Sequence, residues 1–583
     1  MERRATCLIL YFYIRCYNDI NSAILHHETT TRVNSYIYEG HTKDSERTKE
    51  KIQSFPLSLQ SSKASKAALR NLSRDDDYHN LKESRYTETV IQSEQVQIQN
   101  QKNSSRENQI LMLREIIDDF KFQWLRYSKA GLDWKEILNP CKNDMEWKKK
   151  GLETINRSSG NTSEILSLDI RPAGEFSRVF IRSRTADGRL KTVGGDSWRV
   201  YVAGPSSLVA KVFDYNNGTY EALFLTMEPG VYEVIIILDY SLCDGLRDPP
   251  GDWFIKGNKQ GKYQKEGFLG KLDDFLFQRL GSFEQQGKPL TINVPAARVQ
   301  ADLRDLLPNS PSSSCLTSCR FLWNGYGRWA NKTWLPFFQE TFHWHNYPHP
   351  SPSGTLWVYG DSVGMIFVQS MKKRTMCDQL YEQCKLSYNW IYPILSGHKR
   401  AIEEYDVLDF DEKRVIKSIR DVLSDPDMDS NSTLLLNLGL HFVMTINFTT
   451  YQKLIDHVID MLTEKKPGSE HDLWYKSRVV WKTTTAIMKE NASQKQVTHF
   501  RFLTSQRILL FNAYATWAMC KAGVDVIDVH PITDSYPWGP MDVVHYYGFV
   551  TYPLEQRLEA LQIATVSSEG DQDKHSIQTC VRS

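Results

Sequence analysis

Three short clusters in this chain carry residue types that together can move an acyl group. Gly360-Asp361-Ser362 follows directly on the apolar run Leu356-Trp357-Val358-Tyr359. A strand ending in a tight Gly-Asp turn can expose a serine hydroxyl at the carboxyl edge of a sheet. Asp542-Val-Val-His545 lies 183 residues further on (545 − 362). An aspartate three residues before a histidine can present a base together with the carboxylate that orients it. Between the two, Asn437-Leu-Gly439-Leu-His441 closes the run Thr433-Leu-Leu-Leu. A glycine there lets a backbone N–H approach a developing oxyanion, and Asn437 offers a side-chain donor. The expected set is Ser362 as nucleophile, His545 as general base, Asp542 as its orienting carboxylate, and Ser362, Gly439 and Asn437 around the oxyanion.

Each cluster also has a plainer reading. Asp361 or Ser362 can simply cap a helix, and Asn437-Leu-Gly439 can be an ordinary β-to-α turn with His441 packed nearby. Gly-Asp-Ser arises by chance in about one chain in seven of this length, and Asp-x-x-His about once per chain. A second copy, Asp76-Asp-Tyr-His79, sits in a polar stretch. What favours chemistry is the ordered combination and the placement of Ser362 and Gly439 just past apolar runs.

The elements that must position these residues read as α/β after Cys315. Strand-like runs at 356–359, 433–438 and 507–510 alternate with helical patterns at 410–423 and 451–463, and 524–528 is a further strand candidate. Such alternation predicts a parallel sheet covered on both faces, whose ligands bind at the carboxyl ends of the strands. Upstream, five short alternating runs at 179–183, 198–202, 210–213, 220–224 and 232–237 are separated by Gly194-Gly195, Asn216-Asn217-Gly218 and Pro229-Gly230. Strands at that spacing predict a β-sandwich. The expected organisation is a signal peptide or signal anchor over 1–27, a disordered polar stalk over 28–108 and a helical connector over 109–162. An immunoglobulin-like sandwich over 163–240, a linker or insert over 241–314, the α/β domain over 315–562 and a disordered tail over 563–583 complete it.

At 583 residues more than one core is expected. A net charge of +1 with mixed signs implies no nucleic-acid surface. Aromatics crowd residues 315–395, where packing is the expected use. Two arginines before Cys7-Leu-Ile-Leu-Tyr-Phe-Tyr-Ile14 read as a signal peptide or a single N-terminal membrane anchor. Nine Asn-x-Ser/Thr sequons stand at Asn71, Asn103, Asn156, Asn161, Asn217, Asn331, Asn431, Asn447 and Asn491. Chance supplies about four, so the excess points to secretion or an ER or Golgi lumen. Ten cysteines agree, with Cys315/Cys319 and Cys377/Cys384 close enough to pair locally. His343, His345 and His349 lie in a proline-rich loop without acidic or thiol partners, so no metal site is expected, nor any cofactor. Lys372-Lys-Arg374 reads as a solvated face.

Taken in order, these blocks resemble the SGNH hydrolase superfamily. The nearer likeness is to its PC-esterase branch, on Gly325-Tyr-Gly-Arg-Trp329, Trp334-Leu-Pro336, Gly360-Asp-Ser362, Asn437-x-Gly439-x-His441-Phe442 and Asp542-x-x-His545-Tyr546. Asp214-Tyr-Asn-Asn-Gly-Thr-Tyr220 with Gly230-Val-Tyr232 resembles a filamin-type immunoglobulin repeat. Residues 163–560 together resemble the neurexophilin and PC-esterase domain family. That resemblance implies an acyl-serine intermediate and transfer or hydrolysis of acetyl groups on glycan hydroxyls. One departure stands out. Three residues after the serine, where the branch usually carries a basic or amide side chain, this chain has Met365. A catalytically silent secreted protein of neurexophilin type, binding a cell-surface partner through its sandwich, is the alternative that this departure implies.

Overall fold

The computed structural model describes residues 110–147, 154–250, 253, 275–281, 289–298, 321–338, 351–374, 376–392, 410–493 and 500–568. The expected signal segment and stalk, Asn71 and Asn103, Cys315 and Cys319, and His343, His345 and His349 lie outside them. None of the described helices is long and apolar enough to cross a membrane.

The first layer pair is an antiparallel sandwich. Strands β1 (Glu164–Asp169), β2 (Phe176–Arg182), β3 (Ser197–Ala203), β4 (Ser207–Val209), β5 (Lys211–Asp214), β6 (Thr219–Leu225) and β7 (Gly230–Tyr240) follow one another, then β8 (Gln278–Arg279) and β9 (Leu290–Val294). One sheet runs β1-β2-β6-β5. The period of two along β6 explains its complete burial. Tyr220, Ala222 and Phe224 point into the sandwich core, while Leu223 and Leu225 point outward. That outer face is covered by helix α1 (residues 110–129), whose Phe120 and Tyr127 pack on Phe176, Leu223 and Leu225. Glu221, on the same covered face, is 1% exposed and is held by Arg126 of α1 at 2.7 Å. A short helix α2 (Trp134–Leu138) follows, and Cys141 is bonded to Cys243 at the far end of β7.

The facing sheet takes strands from outside the expected sandwich boundaries. After β10 (Phe321–Trp323), the hairpin β11 (Gly327–Ala330) and β12 (Thr333–Pro336) joins it, giving the order β12-β11-β4-β3-β7-β8 with β9 also on β7. The stretch read as linker over 241–314 therefore supplies two sandwich strands, β8 and β9. Two blocks assigned to the α/β domain, Gly325–Trp329 and Trp334–Pro336, fall largely in the sandwich sheet. Trp323, Trp329 and Trp334 are buried, so the aromatics of this region pack.

The second unit is a six-stranded sheet, all parallel, in the order β10-β17-β16-β15-β13-β14. Its other strands are β13 (Thr355–Gly360), β14 (Gln383–Tyr388), β15 (Thr433–Leu436), β16 (Arg478–Lys482) and β17 (Asp525–Ile527). Burial on both faces accounts for the unbroken apolar runs of β13 and β15. Leu434, Leu436, Trp481 and Val526 face a layer of α4 (Glu412–Leu423), α5 (Leu440–Thr445), α6 (Phe448–Thr463) and α7 (Ser505–Lys521). Leu356, Val358, Leu435, Val480 and Ile527 face helices that include α3 (Ser362–Met371), α8 (His530–Asp534) and α9 (Tyr552–Ser568). The sandwich plus three-layer α/β/α architecture is thus present.

Three local expectations need correction. Residues 507–510 are not a strand but part of α7, and the strand between β15 and β17 is β16. Helix α9 continues to Ser568, past the expected start of the tail at 563. Arg374 is not simply solvated: it pairs with Glu555 of α9 at 2.8 Å and covers the Tyr552 ring. Of the local cysteine pairs within the described residues, Cys377–Cys384 is bonded.

Candidate active site

With β10 set aside, β14-β13-β15-β16-β17 is the doubly wound order 2-1-3-4-5, and the winding reverses direction at β13. Ligand crevices open at such a switch point, beyond the carboxyl ends of the strands. Ser362 follows β13 there, and Gly439 follows β15.

Local chemistry fixes the serine. Gly360 ends β13, and Asp361 leaves the strand in an extended conformation (φ −94°, ψ −156°) to cap α3 by accepting from the Val363 N–H at 2.9 Å. The cap reading of Asp361 therefore holds, and it is what orients Ser362, the first residue of the helix. The backbone N–H groups of Ser362 and Gly439 have no partner among the described residues. Both are available to a negative oxygen, Ser362 at a helix N-terminus.

His545 arrives on a loop after α8. Ser362 Oγ donates to His545 Nε2 at 2.7 Å. His545 Nδ1 donates to Asp542 Oδ2 at 2.7 Å; a carboxylate only accepts, so Nδ1 carries the proton. The other carboxylate oxygen, Oδ1, accepts from the backbone N–H of Val544 (2.8 Å) and His545 (2.9 Å), which locks the Asp542 rotamer. Burial opposes charge on the imidazole, but the hydrogen bond and charge of Asp542, with Asp361 beyond, outweigh it and hold His545 above its ordinary value. Burial also opposes ionisation of Asp542, yet its three hydrogen-bond donors bring it down to about 2. A histidine that gains basicity from a permanently ionised partner is suited to take a proton from Ser362.

Asn437 behaves differently from the expectation. Its Nδ2 donates to the Lys482 carbonyl (2.8 Å) and to Thr484 Oγ1 (3.3 Å), so both amide hydrogens are used inside the protein. Asn437 braces the Gly439 turn rather than supplying a donor to the oxyanion. The bracing extends to α7, where Asn512 accepts from the Thr484 N–H at 2.8 Å and donates to its carbonyl at 2.9 Å. A Cβ on Gly439 would lie 2.6 Å from Asn437 Oδ1 and 2.7 Å from Thr484 Oγ1. Glycine is required there by space. Beneath the site, Lys482 is buried, and burial brings its ammonium down to about 8 against the pull of Asp361. Neither Thr484 nor Lys482 stands out in the sequence, because their roles depend on the pairing of β16.

His441 stacks on Trp390 at the end of β14 (centroids 5.8 Å apart). Among the described residues no group of three or more His, Cys, Asp or Glu side chains is placed to hold a metal ion. A cavity of about 210 Å³ between sandwich and α/β sheet is walled by Lys211, Thr483, Asp528 and His530, among others, and includes no member of the Ser-His-Asp line.

No family model matches the chain, and no curated protein does. Solved structures similar to parts of it include the Lin-41 filamin domain, at 12% identity and a TM-score of 0.15, covering 24% of this chain and 99% of that one. A lipase/acylhydrolase from Enterococcus faecalis is 15% identical with a TM-score of 0.23, covering 37% and 96%. Est24, a carbohydrate acetylesterase from Sinorhizobium meliloti, is 10% identical with a TM-score of 0.24, covering 37% and 100%. At these values the architecture rests on the strand pairings above and the chemistry on the distances.

Proposed function

We propose that this chain is a serine O-acyl esterase or O-acetyltransferase of SGNH type, PC-esterase branch, acting on glycan hydroxyls in a secretory lumen or outside the cell. The observation that carries the reading is the continuous hydrogen-bonded line from Ser362 Oγ through His545 to Asp542 at the switch point of the sheet. In the first half-reaction Ser362 Oγ attacks the acyl carbonyl carbon while His545 Nε2 takes its proton. The tetrahedral oxyanion is held by the Ser362 and Gly439 N–H groups. Collapse breaks the ester bond, and the imidazolium returns its proton to the departing alcohol, leaving acyl-Ser362. Water or a second hydroxyl, deprotonated by Nε2, then attacks the acyl-serine; the acyl–Oγ bond breaks, the imidazolium returns its proton to Ser362 Oγ, and acid or transferred ester leaves.

The secretory setting is supported by the bonded cysteine pairs and by the exposure of Asn156, Asn217, Asn331, Asn447 and Asn491 among the sequons. Asn161 and Asn431 are part-buried. A filamin-type identity for the sandwich is part of the same proposal. Ser362→Ala should abolish acetyl release or transfer on O-acetylated glycans, and a fluorophosphonate probe should label wild type at Ser362 only. An unchanged rate in the variant would sink the assignment. The silent, neurexophilin-like binding protein predicts no labelling at all.

A further inference from the structure

The Asp542–His545 loop has little regular structure of its own. The dipeptide carbonyls beside the catalytic carboxylate are held from one place. Met488 N–H donates to the Val543 carbonyl at 3.0 Å, and Asn491 Nδ2 donates to the Asp542 carbonyl at 3.0 Å. Met488 leads into, and Asn491 ends, the single 3-10 turn Lys489–Asn491. Its other two side chains reach into the sandwich. Glu490 accepts from Arg199 of β3 at 3.1 Å, and the same guanidinium is held by Asp239 of β7 at 2.5 Å. Lys489 is 4% exposed and donates to the hydroxyl of Tyr240 of β7 at 2.8 Å. Arg199, Asp239 and Tyr240 are all buried. Three consecutive residues therefore grip the two inner strands of one sheet and the backbone on which the base is mounted.

We propose that the 489–491 turn is a strut through which the sandwich positions His545, with Glu490 and Asn491 as positioning residues. This inference rests on the acyl-serine reading above. It gives the sandwich a task in the reaction in place of the spacer or docking role that its sequence suggests. The physical reason is that an Arg199–Asp239–Glu490 cluster whose arginine and aspartate are buried has one low-energy arrangement, whereas a half-exposed loop has many. Tying Asp542 and Val543 to the cluster removes the loop's freedom before substrate arrives. Misplacing a catalytic group by about 1 Å costs on the order of 10²-fold in rate, so a loosened strut acts on turnover without touching substrate. Asn491 is also a sequon, and its amide faces the loop, so a sugar and the strut compete for one side chain; Ser493→Ala removes the sequon and leaves the amide in place.

The test uses full-length protein, an alkyl fluorophosphonate as probe of Ser362 and hydrogen exchange over residues 537–547. Glu490→Ala and Asn491→Ala should each slow labelling by about 10-fold or more with faster exchange in the loop, and Asn491→Ala should keep the thermal midpoint within about 2 °C of wild type. Glu490→Gln, which keeps an acceptor for Arg199, should recover most of the rate, and Ser493→Ala should label as wild type does. Should Glu490→Ala unfold the protein, Glu490→Gln and Asn491→Ala decide. Wild-type labelling rates and unchanged loop exchange in those variants overturn the strut while leaving the acyl-serine reading intact. Conversely, a wild type that does not label, with loop exchange still raised in the variants, overturns the acyl-serine reading and keeps the brace.

Discussion

Asp542→Asn alters a single atom in the line that ends on Ser362, and its effect can be worked through donor by donor. Oδ1 accepts from the backbone N–H groups of Val544 and His545 at 2.8 and 2.9 Å. An asparagine carbonyl keeps that place, so the amide nitrogen takes the position of Oδ2, 2.7 Å from His545 Nδ1. An amide nitrogen donates only. Nδ1 must then be bare, the proton moves to Nε2, and Nε2 can no longer accept from Ser362. The loop geometry survives and the tautomer is wrong. Such a change is worth on the order of 10⁴ in kcat, or about 5.4 kcal/mol of barrier. Loss of fold does not explain a drop of that size, because the Asp542 side chain is 52% exposed and its pair adds less than about 1 kcal/mol to stability. The sign of the pH effect follows as well. Activity needs neutral His545, so it falls as pH drops through the value that Asp542 and Asp361 hold above the ordinary one. Removing the Asp542 charge lowers that value, and the acid limb of the residual rate shifts to lower pH. Hydrolysis of p-nitrophenyl acetate and fluorophosphonate labelling, followed across about pH 5–9, measure both effects. A folded Asp542→Asn protein within tenfold of wild type, with an unmoved acid limb, refutes the Ser362–His545–Asp542 chemistry.

Gly439→Ala places a methyl group 2.6 Å from Asn437 Oδ1 and 2.7 Å from Thr484 Oγ1, side chains fixed by β16 and α7. The turn must open, and one oxyanion donor with it, so kcat should fall by ~10²–10³ with KM little changed; equal loss in KM would mean a blocked pocket instead. The two bonded cysteine pairs that lie wholly within the described residues should separate by loop length. Cys141–Cys243 spans 102 residues and Cys377–Cys384 spans 7, which in the chain-entropy treatment gives about 4.7 and about 2.4 kcal/mol. Urea unfolding of the two double serine variants checks the ranking, and equal losses would overturn it.

The parts of the site that sequence revealed are those built by neighbours in the chain. Gly360-Asp361-Ser362 is a strand, a cap and a helix start within three residues, and Asp542-x-x-His545 closes its own turn through the Oδ1 bonds to Val544 and His545. What sequence missed depends on distant pairing. Helix α7 is buried on nearly every side, so its apolar residues show no 3.6-residue stripe, and the run Arg507-Ile-Leu-Leu was open to reading as a strand. With that strand misplaced, β16 went unseen, and so did Lys482 and Thr484, which turn Asn437 from an oxyanion donor into a brace. The sandwich limits failed for a related reason. β8 has two residues and β11 and β12 have four each, too short for alternation to register, and they join a sheet whose other strands begin as far back as Ser197.

The strut makes the same point about function. Arg199 and Glu490 are 291 residues apart in the chain, and neither looks unusual in its local sequence. The pairing connects them: Arg199, buried on β3 and paired with Asp239, has donors left for a further acceptor, and Glu490 points inward to that guanidinium. The same is true of β11 and β12, which leave the parallel sheet at Trp323 and enter the sandwich within four residues. Two folds that exchange strands and share a buried ion cluster cannot move independently. An α/β fragment cut free at residue 315 would therefore lose the partners of Glu490, β11 and β12 together, and with them the fixed mounting of His545.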